Sequence, residues 1–122
     1  MKTEKIVKIE LVVDDVKEIH FKFKQQLLLK EGKSALTMNL FHGCRHKRAE
    51  QIIKSDEGLD PQYSGTGMWG KAVYFATNAK YSNDYAHRFN GDYKELLYCK
   101  VIVGNSYECL PKQRLFNPPP GY

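Results

Sequence analysis

The chain has 122 residues, 42% of them hydrophobic and 27% charged, which suits one globular domain, and we expect no second one. A net charge of +5 favours contact with anions, but the Lys and Arg residues are scattered and do not form the block typical of a dedicated nucleic-acid binder. An odd number of cysteines and no signal peptide indicate a reducing, intracellular compartment, and no apolar run approaches the roughly 20 residues of a membrane span.

The first third of the chain contains a predicted strand and a predicted helix. Residues 6–13, with the sequence IVKIELVV, place alternate apolar side chains on one face, as a half-buried strand does. A helix of about four turns is predicted to follow, because Asp14 or Asp15 can cap its start and Gly32 can end it. The apolar residues expected to pack against the domain are Val16, Ile19, Phe23 and Leu27.

The rest of the chain is predicted to mix strands and helices. In order these are a strand over 35–42, a helix over 47–54, a glycine-rich loop over 58–70, a strand over 72–76, a helix over 78–89 and a strand over 95–103. The last strand is apolar on both faces and is therefore expected in the middle of a sheet. This order predicts an α+β domain with a mostly antiparallel sheet and flanking helices.

Several tyrosines are predicted to lie close together. Tyr81, Ser82 and Tyr85 fall within one helical turn, and Tyr74 lies on the preceding strand. If the helix folds back on that strand, Tyr74 and Tyr85 can face each other across a slot wide enough for one flat ring. The alternative is that these tyrosines are core residues whose hydroxyls are hydrogen-bonded inside the protein.

His42 and Gly43 follow an apolar run at the predicted end of a strand. The imidazole could bind a ligand hydroxyl, and the glycine lets the backbone approach a ligand closely. A zinc site is the alternative, since His42, Cys44 and His46 alternate along the chain. A fourth ligand would have to come from Cys99, Cys109, His20 or His87, and no paired metal-binding spacing supports that arrangement.

Aromatic and basic residues near these positions are further candidates for ligand binding. Trp69 in the glycine-rich loop could stack on a base or a ribose, or instead pack the loop onto the core. Lys71, Lys47 and Arg45 could meet phosphates near the same strand ends.

Two motifs together resemble a known family. The sequence LFHG at 40–43 followed by GMWGKAVYFATNAKYSNDY at 67–85 is similar to the catalytic domain of the poly(ADP-ribose) polymerases, especially the tankyrase-like and mono-transferring members. The resemblance runs from KIVKIELVV through LLYCKVIVGNSY to PPPGY and so covers nearly the whole chain. The sequence departs from the family pattern at Cys44, where members carry Thr or Ser, and at Ala72, where they carry Gly.

The resemblance implies an ADP-ribosyltransferase-like fold as a single domain over 1–122. It implies NAD as the donor, a protein as the acceptor, release of nicotinamide, no metal, and a location in the nucleus or cytoplasm. Gly43 would bind the nicotinamide carboxamide through its backbone with Ser82 as a second partner, and His42 would hydrogen-bond the adenosine ribose. Tyr85 and Tyr74 would sandwich the nicotinamide ring.

The loop over 56–70, which contains Trp69 and precedes Lys71, corresponds to the loop that covers the dinucleotide in this family. The family's catalytic residues are a His, a Tyr and a Glu, and the resemblance makes His42 and Tyr74 the first two. The glutamate lies beyond the PPPG segment in the family, and Glu95 and Glu108 come too early to match it. The resemblance therefore implies a domain whose closing strands are missing, with mono-transfer favoured over polymer formation. The alternatives are an inactive module that binds NAD or ADP-ribose or acts by protein interaction, and a small zinc or nucleic-acid-binding protein.

Overall fold

The computed structural model describes residues 5–45, 47–56, 58–59, 66–67, 70–89, 91 and 93–108. Its helices are α1 (Asp15–Lys30), α2 (Ala49–Lys54) and α3 (Ala79–Asn83). Its strands are β1 (Thr37–His42), β2 (Thr66–Gly67), β3 (Gly70–Lys71), β4 (His87–Phe89), β5 (Tyr93–Glu95) and β6 (Leu97–Ile102). The pairs β1–β6, β2–β3 and β4–β5 are all antiparallel, which confirms the α+β class.

Local capping residues set both ends of α1 where the sequence predicts them. The Asp14 carboxylate accepts a hydrogen bond from the Lys17 N–H at 3.1 Å and satisfies a first-turn amide. Gly32 ends the helix with a φ of +72°, and the Lys33 N–H returns to the Leu28 carbonyl at 2.9 Å. This is a glycine-terminated Schellman motif.

The face of α1 that contacts the rest of the domain is not the predicted one. The expected packing residues Val16, Ile19 and Phe23 are 62%, 64% and 65% exposed. Phe21 is half-buried instead and lies 5.2 Å from the Lys100 ammonium. Hydrophobic spacing predicts a helix, but the neighbouring elements decide which side of it is covered.

The N-terminal segment before α1 is also unlike its prediction. Residues 5–13 are exposed and form no strand within the described part of the chain. Alternation of apolar residues is not sufficient for a strand, because a strand also needs a partner for its backbone hydrogen bonds.

β1 and β6 form the longest ladder, with Thr37 opposite Ile102 and His42 opposite Leu97. Within this pair the rings of Phe41 and Tyr98, which are directly opposite, have centroids 4.6 Å apart. The predicted strand over 72–76 is reduced to one bridge, in which Ala76 and Phe41 exchange hydrogen bonds of 2.8 and 2.9 Å. In the described residues β6 pairs with β1 alone, so its predicted central position is not observed there.

The predicted helix over 78–89 ends early and is followed by a hairpin. The Asn78 side chain caps α3 by accepting from the Lys80 N–H at 2.8 Å, but the helix stops at Asn83. β4 and β5 then pair across Gly91, whose φ is +81°. The sequence Asn-Gly at 90–91 is a strong hairpin signal, and it is stronger here than the helical spacing.

The tightest packing lies where β1 meets α3. Ser82 on α3 is 4% exposed and is the most deeply buried polar residue in the described chain. The candidate site therefore lies where these two elements meet. No helix of the described residues is long and apolar enough to cross a membrane.

Candidate functional site at the junction of β1 and α3

Gly43 follows β1 at a close contact between two backbones. A Cβ atom added to it would lie 2.5 Å from the Ser82 carbonyl oxygen and 2.6 Å from the Tyr85 carbonyl carbon. These separations are shorter than real side chains adopt, so any larger residue would push β1 away from α3. The sequence predicted that the Gly43 backbone approaches a ligand closely. The structure shows in addition that it approaches the backbone of Ser82 and Tyr85 in its own chain.

His42 is oriented by a hydrogen bond to the segment that precedes α3. Its Nδ1 lies 2.7 Å from the Tyr74 carbonyl oxygen, and because a carbonyl can only accept, Nδ1 carries the proton. In the neutral ring Nε2 is then the acceptor, and the described residues supply it with no hydrogen-bond partner. The ring also packs against Phe75, with centroids 5.4 Å apart. His42 is therefore held by one nitrogen with the other available to a ligand hydroxyl.

The Ser82 hydroxyl points into the same junction. It donates to the Phe41 carbonyl oxygen at 3.2 Å, across a separation of 41 residues. Because its proton is used in this bond, the oxygen can still accept a hydrogen bond from a ligand N–H. The backbone hydrogen bonds that the described residues form outside the strand ladders do not involve the N–H or the carbonyl of Gly43.

Tyr81 and Tyr85 form a partly exposed aromatic surface beside this junction. Their ring centroids are 5.8 Å apart with planes inclined by 43°, and they are 50% and 41% exposed. A hydrogen bond to the Tyr85 hydroxyl is the main cause that raises the pKa of Tyr81, and Tyr74 contributes to the same increase. Tyr74, which is half-buried, therefore lies near the pair. The slot between Tyr74 and Tyr85 stays a prediction.

Arg45 covers part of this aromatic surface. Its guanidinium carbon lies 5.4 Å from the Tyr85 ring centroid, within range of a cation–π interaction. Its backbone has a φ of +57°, which is uncommon for a residue other than glycine, and its N–H donates to the Tyr85 carbonyl at 2.7 Å. The residue after Cys44 is thus fixed to the end of α3 by its backbone as well as by its side chain.

The sequence as a whole matches a known family. The match is to the poly(ADP-ribose) polymerase catalytic domain and covers residues 1–122. The chain belongs to this family. A Dictyostelium discoideum protein named as a probable poly(ADP-ribose) polymerase is 38% identical over 73 residues, 58% of this chain and 22% of that protein. The chain spans about a fifth of the length of this curated relative.

Membership of the family confirms several expectations at the level of the domain. The poly(ADP-ribose) polymerase catalytic domain is an NAD⁺ ADP-ribosyltransferase, so the predicted enzyme class and NAD as its substrate are confirmed for the domain. The mixed α+β structure with antiparallel strands is consistent with the fold of these domains.

Two predicted NAD-binding residues of the poly(ADP-ribose) polymerase pattern cannot be placed in this site. Trp69 lies outside the described residues. Lys71 belongs to β3, where its backbone pairs with Thr66, but its side chain is not among those described. Their roles remain predictions.

The zinc alternative finds no support among the described residues. They contain no group of three His, Cys, Asp or Glu side chains that could hold a metal ion, and His46 lies outside them. Burial, with Glu95 and Cys99 as lesser causes, raises the pKa of the Cys44 thiol to about 12. A thiol with that pKa is protonated at neutral pH and is a poor metal ligand or nucleophile.

The sequence missed residues that act through the backbone or from a distant strand. Phe41 contributes a carbonyl to Ser82, and Tyr74 contributes one to His42. His87 and Glu95 lie directly opposite each other on β4 and β5, near the loop after Gly43. The Asn-Gly sequence at 90–91 is the signal that could have indicated this last pair, because it is typical of hairpins and a hairpin brings its two flanking segments opposite each other.

Proposed function

We propose that this chain is an NAD-dependent ADP-ribosyltransferase that transfers single ADP-ribose units to a protein acceptor and releases nicotinamide. The proposal includes a single intracellular domain over 1–122, nuclear or cytoplasmic, related most closely to the tankyrase-like or mono-transferring members. The observation that carries it is the junction of β1 and α3, where His42, Gly43 and Ser82 meet two partly exposed tyrosine rings.

The nicotinamide end of NAD fits the chemistry of this junction. A carboxamide needs one donor and one acceptor side by side, and the backbone of Gly43 offers both. Ser82 is suited to accept a hydrogen bond from the carboxamide NH₂, because its own proton goes to Phe41. Tyr85 and Tyr74 would hold the aromatic ring by stacking, which is worth about 0.5–1.5 kcal/mol beyond burial.

The ribose and phosphate end would be bound by His42, Trp69 and Lys71. Nε2 of His42 can accept a hydrogen bond from a hydroxyl of the adenosine ribose, since Nδ1 is held by the Tyr74 carbonyl. Trp69 would stack on the base or ribose, and Lys71 would pair with a phosphate.

The reaction exchanges one bond at the ribose carbon for another. The glycosidic bond to nicotinamide breaks, a bond to the acceptor atom forms, and the acceptor loses its proton. Nicotinamide leaves as a neutral molecule, so no side chain has to protonate it. The residues of the junction therefore contribute by holding the two ends of the dinucleotide in one orientation and by excluding water.

Incubation of the chain with NAD labelled in its ADP-ribose part tests the proposal. We expect label on protein, and we expect His42→Asn to weaken NAD binding about tenfold, because Asn can keep the donor to Tyr74 but has no atom in place of Nε2. His20→Asn on exposed α1 is the matched control and should bind normally. Bound NAD without transfer would favour the inactive module, and label only in free nucleotide would indicate hydrolysis.

A further inference from the structure

The hairpin of β4 and β5 holds the loop that follows Gly43. We call the described residues 44–45 and 47–48 the post-Gly43 loop. Near its start, the Nδ1–H of His87 donates to the Arg45 carbonyl at 2.9 Å. Near the end of the loop, the Glu95 side chain contacts Arg48 and Ala49. Glu95 lies directly opposite His87 in the β4–β5 register. One short hairpin therefore reaches the loop at two points.

Glu95 provides the cap that α2 lacks in its own sequence. The residue before α2 is Arg48, whose side chain has no acceptor atom for the free amides of the first turn. The Glu95 carboxylate takes this role from 46 residues away, accepting from the Ala49 N–H at 2.7 Å. It also contacts the Arg48 guanidinium with both oxygens at 3.4 Å, and its side chain is only 18% exposed.

The post-Gly43 loop connects this cap to the aromatic surface. Gly43, directly before the loop, is packed against the backbone of α3. Within the loop, the Arg45 N–H donates to the Tyr85 carbonyl and the Arg45 guanidinium lies over the Tyr85 ring. The positive φ of Arg45 is a conformation that a free loop rarely keeps, so it depends on the contacts at both ends. Loss of the Glu95 contact would release the loop at Ala49.

We propose that Glu95 is a positioning residue: by fixing Arg48 and Ala49 to the β4–β5 hairpin, it keeps the post-Gly43 loop in the form that binds the nicotinamide end of NAD. The inference rests on the proposed function. Glu95 does not orient the acceptor in this role, because both carboxylate oxygens face residues of its own chain. It acts through the loop and touches no substrate.

Amide hydrogen exchange and nicotinamide titration of three variants test this role. Glu95→Ala removes the cap and the ion pair, whereas Glu95→Gln keeps an oxygen for the Ala49 N–H. Glu50→Ala is the control, because Glu50 lies on α2 but pairs with Lys54 in the solvent. For Glu95→Ala we expect exchange at 44–49 about tenfold faster, unchanged exchange in α1 and a nicotinamide Kd about tenfold higher. For the other two we expect changes below about threefold.

Kinetics with NAD should show the same pattern. If Glu95 positions the binding loop, Glu95→Ala raises KM for NAD about tenfold with kcat reduced less, and Glu95→Gln restores most of the affinity. Combined with Arg45→Ala, its effect on affinity should be less than multiplicative, because both act on one loop.

Three outcomes would overturn the proposal. Unchanged exchange at 44–49 in Glu95→Ala would show that the cap does not hold the loop. Faster exchange with unchanged nicotinamide affinity would make Glu95 a purely structural cap. If the wild-type chain binds no nicotinamide while exchange in its loop still responds to Glu95→Ala, the proposed function and the role of Glu95 in nicotinamide binding are both refuted. The contact by which Glu95 holds the loop would still be supported.

Discussion

The junction of β1 with α3 is closely packed, whereas helix α1 leaves most of its apolar side chains exposed. At the junction, Gly43 touches the backbone of α3 and Ser82 is 4% exposed. On α1 the apolar residues Ile19 and Phe23 are 64% and 65% exposed. The helix owes its bounds to local caps, whereas the junction depends on contacts between distant segments. Substitutions should therefore have large effects at the junction and small ones on the exposed face of α1.

The largest effect is expected for Gly43→Ala, which places a methyl group against the carbonyl of Ser82. Because backbone has to move to admit it, we expect a loss of about 3 kcal/mol in the free energy of unfolding, measured with urea. Gly32→Ala is the matched control, because its φ is +72° but a Cβ atom added to it would meet no atom within 4 Å. We expect it to lower the free energy of unfolding by about 1 kcal/mol. Equal losses in the two variants would mean that the junction is not tightly packed.

Removal of the Tyr85 ring should come next, and its effect should be on binding. We expect Tyr85→Ala to weaken nicotinamide binding by about 2 kcal/mol, because one wall of the proposed stack is lost, and Tyr85→Phe to change it far less. Tyr107→Ala is the control, since Tyr107 is 45% exposed and Tyr85 41%. Calorimetric titration provides the measurement, and an unchanged affinity in folded Tyr85→Ala would contradict the stacking role.

The sequence predicted the features that depend on neighbouring residues. Asp14 and Gly32 define α1 by hydrogen bonds within a few positions, so a local pattern is sufficient to place it. The motif residues His42 and Ser82 were recognised by resemblance, and the structure brings them to the same junction.

The features that the sequence did not predict depend on contacts between segments that are distant in the chain. The covered face of α1 follows from the positions of Lys100 and of the Ile53 carbonyl, to which the Lys17 ammonium donates. The contact that requires glycine at 43 involves a helix about forty residues later in the chain. The early end of α3 is different, because the sequence does contain a hairpin signal, Asn-Gly at 90–91, whereas the prediction of a helix over 78–89 relied on helical spacing.

A smaller effect is expected for Ser82→Ala at the centre of the junction. The variant removes the bond to the Phe41 carbonyl, but that oxygen keeps the Ala76 N–H at 2.9 Å and is not left without a partner. We therefore expect a loss of about 1 kcal/mol in unfolding free energy. Ser34→Ala is the control, since the hydrogen bond between its hydroxyl and the Leu36 N–H is exposed, and a loss well below 1 kcal/mol is expected there. A loss of several kcal/mol for Ser82→Ala would show that its hydroxyl has partners beyond Phe41.

The smallest effect is expected on α1, where two phenylalanines separate helix formation from packing. Phe23 is 65% exposed, whereas Phe21 is half-buried beneath the Lys100 ammonium at 5.2 Å. Phe and Ser have similar helix propensities, so Phe23→Ser should change the free energy of unfolding by less than about 0.5 kcal/mol. Phe21→Ser loses partial burial and the cation–π contact and should cost about 1 kcal/mol or more. The two variants have the same replacement on the same helix, so their difference in urea midpoint measures packing alone. If Phe23→Ser were the more damaging, the apolar face predicted from the sequence would be the covered one, and α1 would have to pack with that side towards the domain.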